Sequence, residues 1–292
     1  MGRAYNFMHK LRKGGGYAPI VESVCKDKDL DMEFRGNCLN VYYKGNSILD
    51  LDERGGNTVH PNIKRHVPEI PTSLEDKDTQ DAERYVGLLP KIKYAVTKQR
   101  SKSTDSLERE YEQLIIRANN FERRNNSEYI ILDRQYAGNK KDQVQFDLVA
   151  VKWPRENRNK NHTGYLALIE VKYALNSDIQ DLAKQIERYY SYLSQGRNMK
   201  SICEDMQKVL RQKLELGLVS GTTKEQRDQL GQLTIDTNLK LAETIIYLID
   251  YNPNSTLFAR AKPKLTELPF ARQILIAYGG FAMWDQGLKP LD

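Results

Sequence analysis

The sequence predicts a mixed α/β protein, in which a central mixed β-sheet is flanked by helices. Three observations lead to this prediction. Three consecutive strand-like segments, residues 128–136, 143–153 and 165–174, follow a helical pattern. A second helical pattern comes directly after them, at residues 177–195. A further apolar strand, residues 243–250, lies beyond a helical insertion. Strands with helices on either side are typical of a sheet between helical layers.

The N-terminal quarter, residues 1–75, is expected to form a small accessory unit. We expect residues 1–37 to be irregular, because a run of three glycines interrupts them. Residues 39–51 predict a β-hairpin, since Leu39, Val41 and Tyr43 alternate with polar residues before the turn Lys44-Gly45-Asn46. Residues 52–81 are polar and contain paired glycines and three prolines, which is typical of a linker.

The larger domain is expected to span residues 76–292 and to begin with two helices. The first is predicted over residues 78–100, bent or broken at Pro90, which cannot donate to the helical ladder. The second is predicted over residues 105–124, with one apolar stripe at helical spacing. This stripe consists of Leu107, Tyr111, Leu114, Ile115 and Ala118.

The rest of the larger domain follows from the same periodicities. In the helix over residues 177–195, five residues share one apolar face. They are Ile179, Leu182, Ile186, Tyr189 and Leu193. A helix over residues 199–218 is expected to open an insertion that extends to about residue 240 and is otherwise polar. After the strand at residues 243–250, one more strand is predicted over residues 273–278.

Composition excludes several classes of protein. No run of about 18 apolar residues is present, so we expect no membrane span. The three cysteines are scattered, which argues against disulfides and structural zinc and favours the cytoplasm. Lysine and arginine number 45 against 39 acidic residues, and this balance permits a nucleic-acid partner without requiring one. The motifs of ATP-driven motors and of serine hydrolases are absent.

Charged residues interrupt two otherwise apolar strands, and they give the clearest chemical signal in the sequence. Glu170 and Lys172 are two positions apart, so their side chains point to the same face of their strand. Asp147 interrupts the preceding strand in the same way. Burying such groups is costly unless they pair with one another or bind an ion.

A symmetric loop between these two antiparallel strands would place Asp147 directly opposite Glu170, with Cβ atoms about 5 Å apart. Two opposed carboxylates in an apolar sheet require a proton or a cation between them. Mg²⁺ prefers oxygen ligands and keeps water molecules that a substrate phosphate can displace. The pattern therefore predicts a metal site. Lys172 would orient or activate a water molecule there, or stabilise charge developing on the phosphate.

Phe146-Asp147, followed after a strand and a loop by Glu170-Val171-Lys172, resembles the signature of the PD-(D/E)XK nucleases. Phe146 stands where that family's name-giving proline would be. The resemblance covers about residues 104–251 and implies a restriction-endonuclease-like core. It also implies a hydrolase that cleaves phosphodiester bonds, acting on DNA more than on RNA, with Mg²⁺ as cofactor or Mn²⁺ in its place.

The resemblance extends to three more candidate site residues. Glu108 resembles the acidic residue of the family's first core helix and would act through a second metal or a bridging water, with Glu110 and Glu112 as alternatives. Gln185 resembles a glutamine motif of the resolvase-like and exonuclease-like branches, and would orient the lysine or contact phosphate. The carbonyl of Val171 would be an extra metal ligand.

Two other interpretations stay open. The charges could form an ordinary solvated sheet face, although the apolar residues between them argue for a site. Alternatively, the protein could be a catalytically silent module that binds nucleic acid through a nuclease-like fold. Residues 1–75 would recognise substrate or pair with a second chain. A homodimer is one arrangement that would supply two sites for cutting two strands.

Overall fold

The computed structural model describes residues 3–52, 61–71, 74, 79–99, 103–122, 126–138, 144–158, 162–220 and 223–284. The α-helices within these ranges are α1 (Met8–Leu11), α2 (Ala18–Lys26), α3 (Pro61–His66), α4 (Gln80–Gln99), α5 (Thr104–Ile116), α6 (Leu182–Ser194), α7 (Gly196–Glu215), α8 (Lys224–Gly231) and α9 (Thr256–Thr266). The strands are β1 (Leu30–Arg35), β2 (Cys38–Tyr43), β3 (Asn46–Asp52), β4 (Tyr129–Ala137), β5 (Gln145–Lys152), β6 (Thr163–Tyr173), β7 (Thr234–Asp236), β8 (Glu243–Ile249) and β9 (Ile274–Gly279). No helix in these ranges has the length and apolar character needed to cross a membrane.

The larger of two sheets is mixed, as predicted. Its strands lie in the order β4-β5-β6-β8-β9, and the short β7 also pairs with β6. β4, β5 and β6 form an antiparallel meander, whereas β8 and β9 run parallel to β6. The predicted strands at residues 128–136, 143–153, 165–174, 243–250 and 273–278 are all confirmed to within two residues at each end. The chain is therefore a mixed α/β protein.

Helices cover the central strands of this sheet on both faces. Leu166 and Leu168 of β6 pack into the larger core, together with the apolar faces of α6 and α7. Ala167, Ile169 and Val171 alternate with them and join a smaller cluster under α5. Burial on both faces explains why these strands are nearly continuous apolar runs. Each fully buried leucine contributes about 1.5–3 kcal/mol to the free energy of folding.

The prediction that residues 1–37 are irregular is wrong. They contain α1, α2 and β1, and α2 buries Ile20, Val21 and Val24. The glycine run misled the prediction because it precedes α2 rather than interrupting it. The predicted hairpin is confirmed as β2 and β3, and β1 extends it to a three-stranded antiparallel sheet.

The described part of the predicted linker, residues 52–81, is folded. It includes α3, and the side chains of Ile63, Val67 and Ile70 are buried in the larger core. Prolines and polar residues suggested a linker, but three apolar residues spaced three to four apart are sufficient to anchor this segment. Residues 53–60, 72–73 and 75–78 lie outside the described residues.

Three helical expectations also need correction. α4 continues through Pro90, so the helix is not broken there, and only the alternative of a bend is left. In α5, Leu114 of the predicted apolar stripe is exposed, whereas Glu112 and Gln113 are buried. Burial is possible there because Arg134 pairs with Glu112 and the side chain of Gln113 bonds to backbone groups. The polar part of the insertion contains α8 and β7, and α9 was not predicted.

Ionic contacts connect the small sheet to the rest of the protein. Glu33 of β1 pairs with Lys213 of α7 at 2.9 Å, and both side chains are fully buried. Arg35 of β1 pairs with Asp133 of β4, which also receives Arg3 at 3.0 Å. The first three strands therefore lie against the strand that borders the candidate site.

Candidate active site

The register between β5 and β6 is the predicted one. Leu148 pairs with Ile169 and Val149 with Leu168, so the next step of the same register places Asp147 opposite Glu170. Backbone pairing between the two strands ends at Leu148 and Ile169. The two carboxylates therefore lie where these central strands separate.

Asp147 occupies the gap that opens beyond this point. Its Oδ2 accepts a hydrogen bond from the backbone N–H of Val171 at 2.9 Å, in place of a carbonyl of β5. The N–H and C=O of a strand residue point to the same edge. The carbonyl of Val171 therefore faces the same gap. Asp147, Glu170 and Val171 are the residues that could supply oxygen ligands to a cation.

Glu170 is fully buried and has a partner at each carboxylate oxygen. Its Oε1 accepts from Lys172 and, at 2.7 Å, from Nε2 of Gln185, while the hydroxyl of Tyr189 donates to Oε2 at 2.6 Å. Gln185 thus contacts Glu170. Burial alone would lower the pKa of Lys172, but the carboxylates of Glu170 and Asp147 raise it above its ordinary value. Lys172 is consequently held as a cation.

Asp147 is only partly exposed and lies in a strongly negative environment. Burial raises its pKa well above the usual range, and the charges of Glu170 and Glu112 raise it further. Lys172 and the N–H of Val171 act in the opposite direction but do not compensate. Ionisation of Asp147 is therefore disfavoured unless further positive charge is present, and an added cation would favour its carboxylate form.

Glu108 lies at the end of β6, immediately beyond Lys172. Its Oε1 accepts from the N–H of Tyr173 at 2.9 Å and from Nδ2 of Asn176 at 2.6 Å. Burial raises the pKa of Glu108, although these two hydrogen bonds and the charge of Lys172 lower it in part. The structure thus places Glu108 at the edge of the cluster, where its partly exposed carboxylate holds the chain that follows the lysine.

The alternative Glu112 lies behind Asp147 and is almost completely buried. Its Oε2 pairs with Arg134 at 2.9 Å, and its Oε1 accepts from Nε2 of Gln135 at 2.7 Å. Burial raises the pKa of Glu112, whereas Arg134 and Gln135 lower it. Its contacts are those of an internal ion pair, so it is less accessible to a substrate than Glu108.

Gln135 and Tyr189 belong to the cluster but were not predicted as site residues. Gln135 lies opposite Asp147 in the register between β4 and β5, with a left-handed φ of 51°. Its Nε2 is 3.4 Å from Oδ1 of Asp147, so one amide bridges this carboxylate and Glu112. The sequence places Tyr189 on the apolar face of its helix; its ring is buried, but its hydroxyl donates to Glu170. Nothing in the local sequence pattern marks Gln135, whereas Tyr189 stands four positions after Gln185 in the glutamine motif.

Two carboxylates and a carbonyl make a small donor set. Among the residues that the structure describes, no group of three or more His, Cys, Asp or Glu side chains is arranged to hold a metal ion. Mg²⁺ is commonly bound through one or two carboxylates, with water and substrate phosphate completing its shell. The donor chemistry at Asp147 and Glu170 fits that ion.

Comparison with protein-family models, with curated proteins and with solved structures finds no match for this chain. The resemblance to PD-(D/E)XK nucleases therefore depends on the residues and their arrangement alone.

Proposed function

We propose that the protein is a Mg²⁺-dependent nuclease that hydrolyses phosphodiester bonds, acting on DNA more than on RNA. One observation carries the proposal. Asp147 and Glu170 oppose each other where two central strands separate, and Lys172 contacts Glu170. This arrangement fits the order of residues in the PD-(D/E)XK signature. Glu108 of α5, at the edge of the cluster, also agrees with that signature.

The roles follow from the contacts. Asp147, Glu170 and the carbonyl of Val171 would hold the ion, which when bound polarises a phosphate oxygen and lowers the pKa of water. Lys172 would orient the attacking water or stabilise charge developing on the phosphate. Gln185, through its bond to Glu170, would fix the orientation of that carboxylate.

One observation favours a second candidate, a nucleic-acid-binding module without cleavage activity. Both oxygens of Glu170 have donors within the protein, from Lys172, Gln185 and Tyr189. Glu170 is thus satisfied without a metal ion, as expected of a structural ion pair. Each oxygen of Asp147 also has a donor, but these donors are the neutral N–H of Val171 and amide of Gln135 rather than a cation. Burial and the charges of Glu170 and Glu112 raise the pKa of Asp147, and this asymmetry supports the nuclease proposal.

A cleavage assay distinguishes the two candidates. Supercoiled plasmid, linear duplex, single-stranded DNA and RNA are incubated with Mg²⁺, with Mn²⁺ or with chelator. The wild type is compared with Asp147→Asn, Lys172→Met and the matched control Asp181→Asn, whose side chain is 70% exposed. We expect metal-dependent cleavage by the wild type and the control only. Binding without cleavage would support the second candidate, and equal products from all four proteins would overturn the assignment to these residues.

A further inference from the structure

A pair of stacked aromatic rings borders the candidate active site. The rings of Tyr111 and Tyr173 lie 5.2 Å apart with an interplanar angle of 23°. Tyr173 follows Lys172 in β6, so its ring lies on the α5 side of the sheet, whereas Glu170 and Lys172 point to the other face. Tyr111 is three positions beyond Glu108, and both lie on one face of α5. Because Glu108 accepts a hydrogen bond from the N–H of Tyr173, it connects the aromatic pair to the edge of the carboxylate cluster.

An open cavity of about 320 Å³ extends from Tyr111 along α5. Apolar and aromatic side chains from α5, from β8 and from the segment after β9 line much of it, among them Tyr111, Leu114, Tyr247 and Phe281. Phe281 is 82% exposed and Leu114 is 39% exposed. Together with the aromatic side chains that line the cavity, these two exposed residues form an apolar patch of the kind that marks interaction sites.

The segment that presents Phe281 is fixed by specific bonds. Oδ2 of Asp250 accepts from the hydroxyl of Tyr111 at 2.6 Å, while Oδ1 accepts from the N–H groups of Phe281 and Ala282 at 2.6 and 2.7 Å. Gly280 has a left-handed φ of 113°, and a Cβ there would overlap the carboxylate of Asp250. One side chain thus ties Phe281 to Tyr111, and the exposed ring is held beside the cavity.

We propose that Tyr111, Tyr173 and Phe281 form a stacking subsite for unpaired nucleobases. This inference deepens the proposed function, on which it rests. Every base has a face that stacks on an aromatic ring, whereas the faces of bases inside a duplex are already covered by their neighbours. The substrate class is then nucleic acid with a single-stranded segment beside the cleaved bond, such as an overhang or a flap. Glu108, a proposed site residue, is bonded to Tyr173 and lies one turn from Tyr111, and this connection to the proposed site favours such a strand over a second copy of the chain.

Binding in chelator tests the subsite without requiring cleavage. The probes are a single-stranded oligodeoxynucleotide and a duplex with a single-stranded overhang, both containing 2-aminopurine, together with a blunt duplex. Wild type is compared with Phe281→Ala and with the matched control Tyr94→Ala, whose side chain is 69% exposed on α4. We expect Phe281→Ala to weaken binding of the first two probes about 5- to 100-fold and to abolish the stacking-induced change in 2-aminopurine fluorescence. The control and the blunt duplex should show no such change.

Each outcome is informative. Equal affinity of wild type and Phe281→Ala for the overhang, while metal-dependent cleavage persists, overturns the subsite and leaves the nuclease proposal intact. A dimer that Phe281→Ala converts to a monomer in sedimentation, with nucleic-acid affinity unchanged, assigns the surface to self-association and also overturns it. A wild type that binds none of the probes and cleaves no substrate overturns both. Because Phe281 is exposed, loss of folding does not confuse the comparison.

Discussion

Replacing Glu33 with glutamine is expected to stabilise the protein near neutral pH, although Glu33 is paired with Lys213. Both side chains are fully buried, and Oε1 of Glu33 lies 2.9 Å from Nζ of Lys213. Burial raises the pKa of Glu33 to about 8. Lys213 lowers it, but Asp31 and Asp133 raise it and Arg35 offsets them only in part. The folded protein therefore keeps Glu33 protonated at a pH where the unfolded chain has lost that proton.

The sign and size of the effect follow from linkage. Between the ordinary pKa of 4.5 and the folded value of about 8, the folded state binds more protons than the unfolded state. The free energy of unfolding must therefore fall as the pH rises through this window. The full loss is about 5 kcal/mol, of which about 3 kcal/mol is reached by pH 7. Glutamine resembles the protonated carboxyl and does not ionise. The free energy of unfolding of the Glu33→Gln protein should therefore not fall in this way as the pH rises.

Urea unfolding followed by tryptophan fluorescence measures the difference, since Trp153 is fully buried. Wild type, Glu33→Gln and the exposed control Glu187→Gln are compared from pH 5 to pH 8. The advantage of Glu33→Gln should grow from about 1 kcal/mol or less at pH 5 to about 3 kcal/mol at pH 7. If it is instead less stable by about 3–5 kcal/mol throughout, Glu33 is ionised and its pair with Lys213 carries stability.

Three further substitutions test local features by the same urea titration. Gln135→Gly should be about 1 kcal/mol more stable than Gln135→Ala, because only glycine accepts a φ of 51° without strain, and equal stabilities would contradict this. Tyr189→Phe removes the donor to the buried Oε2 of Glu170 and should cost about 1–3 kcal/mol; an unchanged midpoint would mean that water replaces the hydroxyl. Gly45→Ala should cost more than about 1 kcal/mol, since φ is 74° and a Cβ would lie 2.6 Å from the backbone of Arg109. A neutral result there would show that the hairpin turn can move away from α5.

The sequence predicts the large sheet well because its central strands are buried on both faces. Such strands form long apolar runs, and their ends are visible as polar or turn residues. The register between β5 and β6 could be inferred because the loop connecting them is nearly symmetric. The small sheet and α2 were harder. A run of glycines can lie in an irregular segment or just before a helix. Only the packing of Ile20 and Val24 in the folded protein distinguishes these two cases here.

The residues of the site also differ in how clearly the sequence reveals them. Asp147, Glu170 and Lys172 could be identified because charged residues are conspicuous in apolar strands. Gln135 could not, because a glutamine in a half-buried strand looks like an ordinary solvent-facing residue. Its role depends on the left-handed backbone that turns its amide toward Asp147, and no pattern of residue types reports φ. Tyr189 was missed for a different reason, since its hydrophobic ring fits the apolar face of α6 equally well.

Stability alone does not explain the composition of the cluster. Glu170 and Lys172 compensate each other, and a buried pair of this kind is often no more stabilising than apolar residues of similar size. Asp147 adds a second carboxylate to that pair, and Glu170 and Glu112 both disfavour its ionisation. Removing its charge should therefore stabilise the metal-free protein, which Asp147→Asn tests in urea. Residues that lower stability without a structural benefit are typical of sites maintained for function. If the Asp147→Asn protein is less stable than the wild type in chelator and as active as the wild type with Mg²⁺, Asp147 has a structural role. The nuclease proposal would then lose the residue on which it mainly depends.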